Sequence, residues 1–253
     1  MKIAVALRTC ASVMNYWGDD RIVDCPKSTV TLTCLNSLLK SMQRSKHEFV
    51  FSIHDDNSDH DVIETMGNMC KSYDVFGVLM NTPKMGNFIS QYEWAKCQDV
   101  DYIYCVEDDY LHQPGAIDDM MDMIDCLKQL SDVDYAIFPF NCPHRYMNFS
   151  SLYTSYIVQG PNQYWRSSFN STHTFLVSKQ CFDKYDDIMR YQAYNWHING
   201  ACEDTSINKI WKQQETMLFT PMESLAIHIT NSSQQEPFFD WKKLWNENLV
   251  SMS

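Results

Sequence analysis

From residue 2 to residue 140 the chain alternates short apolar runs with amphipathic stretches, and this alternation restricts the possible folds more than any other feature. The runs Lys2–Leu7, Glu48–His54, Val75–Leu79, the one ending at Val106, and Tyr135–Phe140 read as strands. Helical periodicity runs from about Thr29 to Lys46, with Ser28 as candidate cap and Cys34, Leu35, Leu38, Leu39 and Met42 on one stripe. Further helices are expected after the turn at 55–59 through Met69, around Phe88–Cys97 and over Ala116–Leu130. Strands joined through helices need right-handed crossovers, so the expected class is α/β with a mainly parallel sheet flanked by helices. Such sheets bind ligands beyond the carboxyl ends of their strands. In this register those ends carry Arg8-Thr9, Asp55-Asp56, the Asn81–Gly86 loop and Glu107-Asp108-Asp109.

The acidic triplet is the sharpest of these signals. Three adjacent carboxylates at a strand end repel one another unless a divalent cation or many hydrogen bonds compensate. With 32 Asp and Glu in 253 residues, triplets also arise as solvated loops, but here a buried strand precedes and Pro114-Gly115 opens a helix behind. The formal net charge of −12 opposes a non-specific grip on nucleic acid or an anionic membrane surface. The first strand begins at residue 2, leaving no room for a signal peptide, and no run of 18 apolar residues occurs, so the expectation is a soluble, cytoplasmic protein without a transmembrane segment. The ten cysteines contain no C-x-x-C pair and read as reduced core residues.

Beyond Phe140 the alternation fails. Residues 141–172 are rich in Asn, Ser and aromatics with little strand or helix period. They read either as a surface cover or as an irregular acceptor-side region in which Tyr153, Tyr156, Tyr164 and Trp165 stack on sugar rings. A strand is expected at His173–Ser178, and a helix from Gly200 to about Gln214, whose first turn carries Glu203 and Asp204; acids there also suit the helix dipole. A last strand, Ser224–Thr230, holds His228, which reads as a half-buried strand histidine or a metal ligand, and the tail Phe238–Val250 is amphipathic. No linker or repeat divides the chain, so one domain is expected over 1–253, with a nucleotide-side half (1–115), an acceptor-side half (116–230) and a tail (231–253).

Several motifs are excluded on spacing. An EF-hand loop from Asp55 needs Gly at His60 and Glu at Met66. With seven glycines the chain has neither a P-loop nor a dinucleotide fingerprint, and paired Cys or His ligands for structural zinc are missing.

The ordered set of Asp55-Asp56-Asn57-Ser58 after the second strand, Gly86, the strand ending in Glu107-Asp108-Asp109 with Pro114-Gly115, and Glu203-Asp204 resembles the GT-A glycosyltransferases, family 2 in particular, over roughly residues 1–230. Those enzymes read DDxS, DxD and ED at these places. The resemblance implies a metal-dependent transfer from a nucleotide-diphosphate sugar to a hydroxyl of a glycan, lipid-linked or protein acceptor, with inversion. By the same resemblance Thr9, Asp55 and Asp56 line the base and ribose, with Asp55 on the base N–H. Lys84 approaches the diphosphate or remains a solvated loop lysine, and Asp108 faces ribose or phosphate. Asp109, Glu107 and His228 hold Mn²⁺ or Mg²⁺, the Glu standing where the family usually has Asp. Asp204 is the base and Glu203 orients the acceptor. A sugar nucleotidyltransferase is the alternative enzyme class, although its Gly-rich phosphate loop is absent at Arg8–Ser12. A GT-like protein that binds carbohydrate without catalysis is the other.

Overall fold

The computed structural model describes residues 1–12, 22–73, 75, 77–81, 86–143, 146, 154–195, 201–213, 215–229, 235–236 and 239–250. The elements are β1 (Lys2–Thr9), α1 (Lys27–Arg44), β2 (Glu48–Asp55), α2 (His60–Ser72), β3 (Gly77–Asn81), α3 (Gly86–Lys96), β4 (Tyr102–Glu107), β5 (Tyr110–His112), α4 (Ala116–Lys128) and β6 (Asp134–Ile137). The second half adds β7 (Ile157–Gln159), β8 (Tyr164–Ser168), β9 (Phe175–Ser178), α5 (Lys179–Lys184), α6 (Asp186–Asn195), β10 (Thr216–Pro221), β11 (Ala226–His228) and α7 (Trp241–Asn248).

The strands form a nine-stranded sheet in the order β3-β2-β1-β4-β9-β6-β10-β8-β7 and a separate two-stranded sheet, β11-β5. β3, β2, β1 and β4 are mutually parallel, as the alternation demands. β9 runs antiparallel to both β4 and β6, and β8 antiparallel to β10 and β7, so only those two reverse the direction of the large sheet. β1 and the middle of β4 are covered on both faces, which is why they read as unbroken apolar runs: Ile3 to Ala6 and Ile103 to Cys105 are fully buried. The register sets Arg8 beside His54 and Glu107, and Thr9 beside Asp55, so the polar strand ends lie along one edge.

The first half follows the sequence reading with shifts of up to three residues, except that β5 was not foreseen. Pro26, extended at ψ 149°, precedes α1, and Ser28 lies inside the first turn instead of capping it. The second half departs further. The stretch read as irregular contains the β7–β8 hairpin, α5, α6 and β10 were not foreseen, and the expected helix 200–214 is two short 3-10 turns, Glu203–Thr205 and Ile207–Lys209. Ser206 and Thr205 explain that break. Both hydroxyls donate to the Cys202 carbonyl, at 2.8 and 2.9 Å, satisfying locally what a helix would satisfy along its axis. The tail helix α7 docks on α1: Asn36 Nδ2 donates to the Asn248 carbonyl at 3.0 Å and Lys40 Nζ to that of Glu247 at 2.7 Å. None of the ten cysteines is in a disulfide. Among the described residues no helix is long and apolar enough to cross a membrane.

Candidate functional site

The loop after β2 is tied to the end of β1. Asp55 is fully buried; its Oδ1 accepts from Thr9 Oγ1 at 2.7 Å and Ser58 Oγ at 2.6 Å, and its Oδ2 from the Ser58 N–H at 2.8 Å. The Thr9 carbonyl accepts from the Asp56 N–H at 2.9 Å and from Asn87 Nδ2 at 3.1 Å. Asn57 turns the chain in the left-handed region at φ 56°, which asparagine tolerates better than most residues. These bonds correct two expectations. Thr9 and Asp55 hold the loop in shape and present no accessible oxygen to a nucleotide, while the half-buried Asp56 reaches the surface.

The acidic triplet splits three ways. Glu107 Oε1 accepts from Arg8 Nη2 at 2.6 Å, and that guanidinium lies 4.3 Å over the Phe88 ring. Asp108 turns into the fold, its Oδ1 accepting from Lys27 Nζ at 2.6 Å and its Oδ2 from Thr31 Oγ1 at 2.7 Å and the Cys10 N–H at 3.0 Å. Asp108 therefore pins α1 to β1 instead of facing a ribose. Asp109 Oδ2 lies 3.2 Å from His228 Nε2 and 3.8 Å from Lys27 Nζ. Burial opposes the charge on Asp109, but His228 and Lys27 outweigh it and hold the carboxyl well below its usual range. On His228 burial works downwards, yet Asp109, with Glu107 adding to it, leaves the pKa raised.

β5 and β11 place this pair. Their antiparallel register sets Tyr110 opposite His228, and the two rings stack at 4.8 Å between centroids. The Ile229 N–H also donates to the Asp109 carbonyl at 2.7 Å. One carboxylate oxygen and one imidazole nitrogen at this spacing suit a divalent cation, since two neighbouring ligands on an octahedral ion are about 3 Å apart. Arg8 engages one oxygen of Glu107, Oε1, at 2.6 Å. Among the described residues no group of three His, Cys, Asp or Glu side chains forms a metal cluster. Asp109 and His228 are two candidate donors, and a set of two leaves positions for the oxygens of a phosphate ligand.

The second acidic pair is joined to the first through residues 171–174. Asn208 donates to Asp204 Oδ1 at 3.1 Å and accepts, through Oδ1, from the Ser171 N–H at 2.9 Å. Thr172 Oγ1 meets the Tyr110 hydroxyl at 2.8 Å, and Thr174 Oγ1 accepts from the Glu107 N–H at 3.0 Å. Asp204 is exposed, and Glu203 is half-buried with Oε1 3.8 Å from His173 Nε2. Burial raises the pKa of Glu203, with Glu107 adding to the effect.

S. aureus TarS residues 1–349 in complex with UDP superposes with a TM-score of 0.54 at 14% identity, over 89% of this chain and 60% of that one. The same fragment with UDP-GlcNAc gives 0.50 at 15% identity, over 96% and 64%. The fold is GT-A. Against the longer S. aureus TarS structure the TM-score is 0.51 at 9% identity, over 87% of this chain and 36% of that one, so this chain spans about a third of that protein's length. An inositol-1-phosphate CTP transferase from T. maritima superposes more loosely, at 0.48 and 13% identity over 97% and 95% of the two chains. No protein-family model and no curated protein sequence matches the chain.

Asp56, Asp109, His228, Glu107, Glu203 and Asp204 thus gather at the strand ends or are bridged to them. Lys84 lies outside the described residues, as does Tyr153, and Trp165 is buried and unable to stack on a sugar. Sequence reasoning missed Lys27, Arg8 as the partner of Glu107, and His173. Lys27 left one trace: a lysine in the first turn of a helix opposes the macrodipole, so its presence there asks for a compensating acid.

Proposed function

We propose that the chain is a metal-dependent glycosyltransferase that moves a sugar from a nucleotide-diphosphate sugar to an acceptor hydroxyl with inversion. The observation that carries the reading is the Asp109–His228 pair, 3.2 Å apart at the end of β4 on a GT-A sheet. Asp56 takes the nucleoside side, in place of the buried Asp55. Departure of a diphosphate concentrates negative charge beside Asp109. A divalent ion held by Asp109 and His228 would supply Lewis-acid stabilisation of that charge. Lys27 and Arg8 add fixed positive charge along the same edge, both held by acids of the triplet. Asp204, oriented by Asn208, takes the proton of the acceptor hydroxyl, and Glu203 steadies the turn from the side of His173. Mn²⁺ fits the imidazole donor better than Mg²⁺. A cytoplasmic location remains part of the same proposal.

A panel of nucleotide-sugars titrated calorimetrically with Mn²⁺ present tests the reading. One member should bind, release its nucleoside diphosphate on transfer or slow hydrolysis, and lose about tenfold or more in affinity in Asp109→Ala. Affinity unchanged in that variant would remove the metal site, and the absence of any nucleotide-sugar binding would remove the function.

A further inference from the structure

β9 runs antiparallel to β4, with Phe175 beside Cys105, so the segment leading into β9 lies at the carboxyl end of β4. Each of its four residues bonds a different part of the site. The Ser171 N–H donates to Asn208, the partner of Asp204, and Thr172 meets the hydroxyl of Tyr110, whose ring stacks on His228. Thr174 Oγ1 accepts the Glu107 N–H. His173, between them, is buried and bonds through both ring nitrogens: Nδ1 lies 2.7 Å from the Tyr92 hydroxyl and Nε2 2.7 Å from Gln192 Oε1. An amide oxygen only accepts, so Nε2 carries the proton and Nδ1 accepts from the phenol. Burial lowers the pKa of His173 to about 4, which keeps the ring neutral in this arrangement.

These bonds join two walls that come from different parts of the chain. On one side the Phe88 ring meets His173 edge-on at 4.3 Å, and the same Phe88 ring carries the Arg8 guanidinium that holds Glu107. Tyr92 lies one turn further along α3. On the other side Gln192, on α6, also has Oε1 3.0 Å from Ser206 Oγ, and Glu203 Oε1 lies 3.8 Å from His173 Nε2. The 3-10 turn Glu203–Thr205 is three residues long, and a turn that short has little rigidity of its own. Its order depends on what it is tied to, and His173 touches both walls.

We propose that His173 is a positioning residue for the transfer reaction: held by Tyr92 and Gln192, it fixes the turn that carries Glu203 and Asp204 relative to the Arg8–Glu107 side of the site. Misplacing a reacting group by about 1 Å can cost about a hundredfold in rate, so a tie of this kind acts on turnover without touching substrate. The role in transfer rests on the glycosyltransferase reading; the tie between the walls does not.

Tyr92→Phe and Gln192→Met each remove one bond to His173 with little change in volume. Tyr104→Phe is the control, because the Tyr104 hydroxyl makes the same kind of buried bond, 2.7 Å to His112 Nε2, between β4 and β5. UDP release from UDP-GlcNAc with Mn²⁺, calorimetric UDP affinity and amide hydrogen exchange are measured on each protein. Turnover should fall about tenfold or more in both variants with UDP affinity within about twofold, and the Thr205 and Ser206 amides should exchange about tenfold faster. The double variant should lose no more than the worse single one, because both act through one ring. Tyr104→Phe should keep wild-type turnover and wild-type exchange at the turn. Wild-type turnover in both variants, or an equal loss in Tyr104→Phe, would overturn the proposal; so would loss of UDP affinity, which would move His173 to the donor side. Should both variants fail to fold, the wild type decides: its Thr205 and Ser206 amides should exchange at least about a hundredfold slower than in an unstructured chain, and free exchange there would overturn the tie. Variants that loosen the turn in a protein that releases no UDP support the tie and sink the transferase reading instead.

Discussion

Asp204 is exposed, with one oxygen held by Asn208, whereas Glu203 is drawn inwards toward His173 and Gln192 and has its pKa raised by burial. A general base must reach the acceptor hydroxyl, so the exposed acid suits the task and the half-buried one suits support. Asp204→Asn should lower the transfer rate by roughly 10²- to 10⁴-fold with nucleotide affinity unchanged. Glu203→Gln keeps the shape and should lose less than about tenfold. Steady-state rates alongside calorimetric UDP affinity separate the two, and the reverse ranking would transfer the base role to Glu203. Side-chain direction is the level at which the sequence was least legible. Asp55, Asp108 and Asp109 read alike as acids at strand ends. Asp108 is turned inwards by Lys27 and Thr31, some eighty residues earlier in the chain, and Asp109 is held at His228, more than a hundred residues later.

Elements were legible where burial imposes one pattern and illegible where it does not. β1 and β4, covered on both faces, must be continuously apolar, while the β7–β8 hairpin carries Gln159, Tyr164, Arg166 and two serines and shows no strand period. Its geometry depends on one close approach. A Cβ built on Gly160, at the turn of the hairpin, would lie 2.6 Å from Trp165 Nε1 and 2.9 Å from Met123 Sδ. Trp165 is buried, and Met123 sits on α4 beneath it, so neither neighbour can retreat without opening the core. Gly160→Ala should therefore cost about 1–3 kcal/mol by overpacking. Urea unfolding measures this as a lower midpoint with an unchanged slope. A midpoint equal to the wild type would mean that the hairpin shifts freely.

At the scale of the whole molecule, three histidines are built into the core as neutral groups. His54 bonds Ser52 and Ser90, His112 bonds Tyr104 and the Tyr110 carbonyl, and His173 bonds Tyr92 and Gln192. Burial lowers each from its ordinary value of 6.5 to about 4. The unfolded chain then binds more protons than the folded one between these values, so stability is full above about pH 6.5 and is lost as pH falls toward 4. Such a displacement is worth on the order of 3 kcal/mol per histidine at most, and three together approach the total stability of a typical domain. His228 has the opposite sign: its raised value contributes stability below pH 6.5 that fades as pH rises through it. Asp109, with its lowered value, contributes stability that is lost only under stronger acid. Between pH 6.5 and 4 the three buried imidazoles therefore set the direction. The urea midpoint should drop steeply from pH 7.5 to pH 5. Replacing one of the three, as in His54→Gln, should lower the midpoint at pH 7.5 but flatten its fall by about a third, because one titrating group has been removed. A midpoint constant across that range would show that these histidines are not held neutral in the folded state.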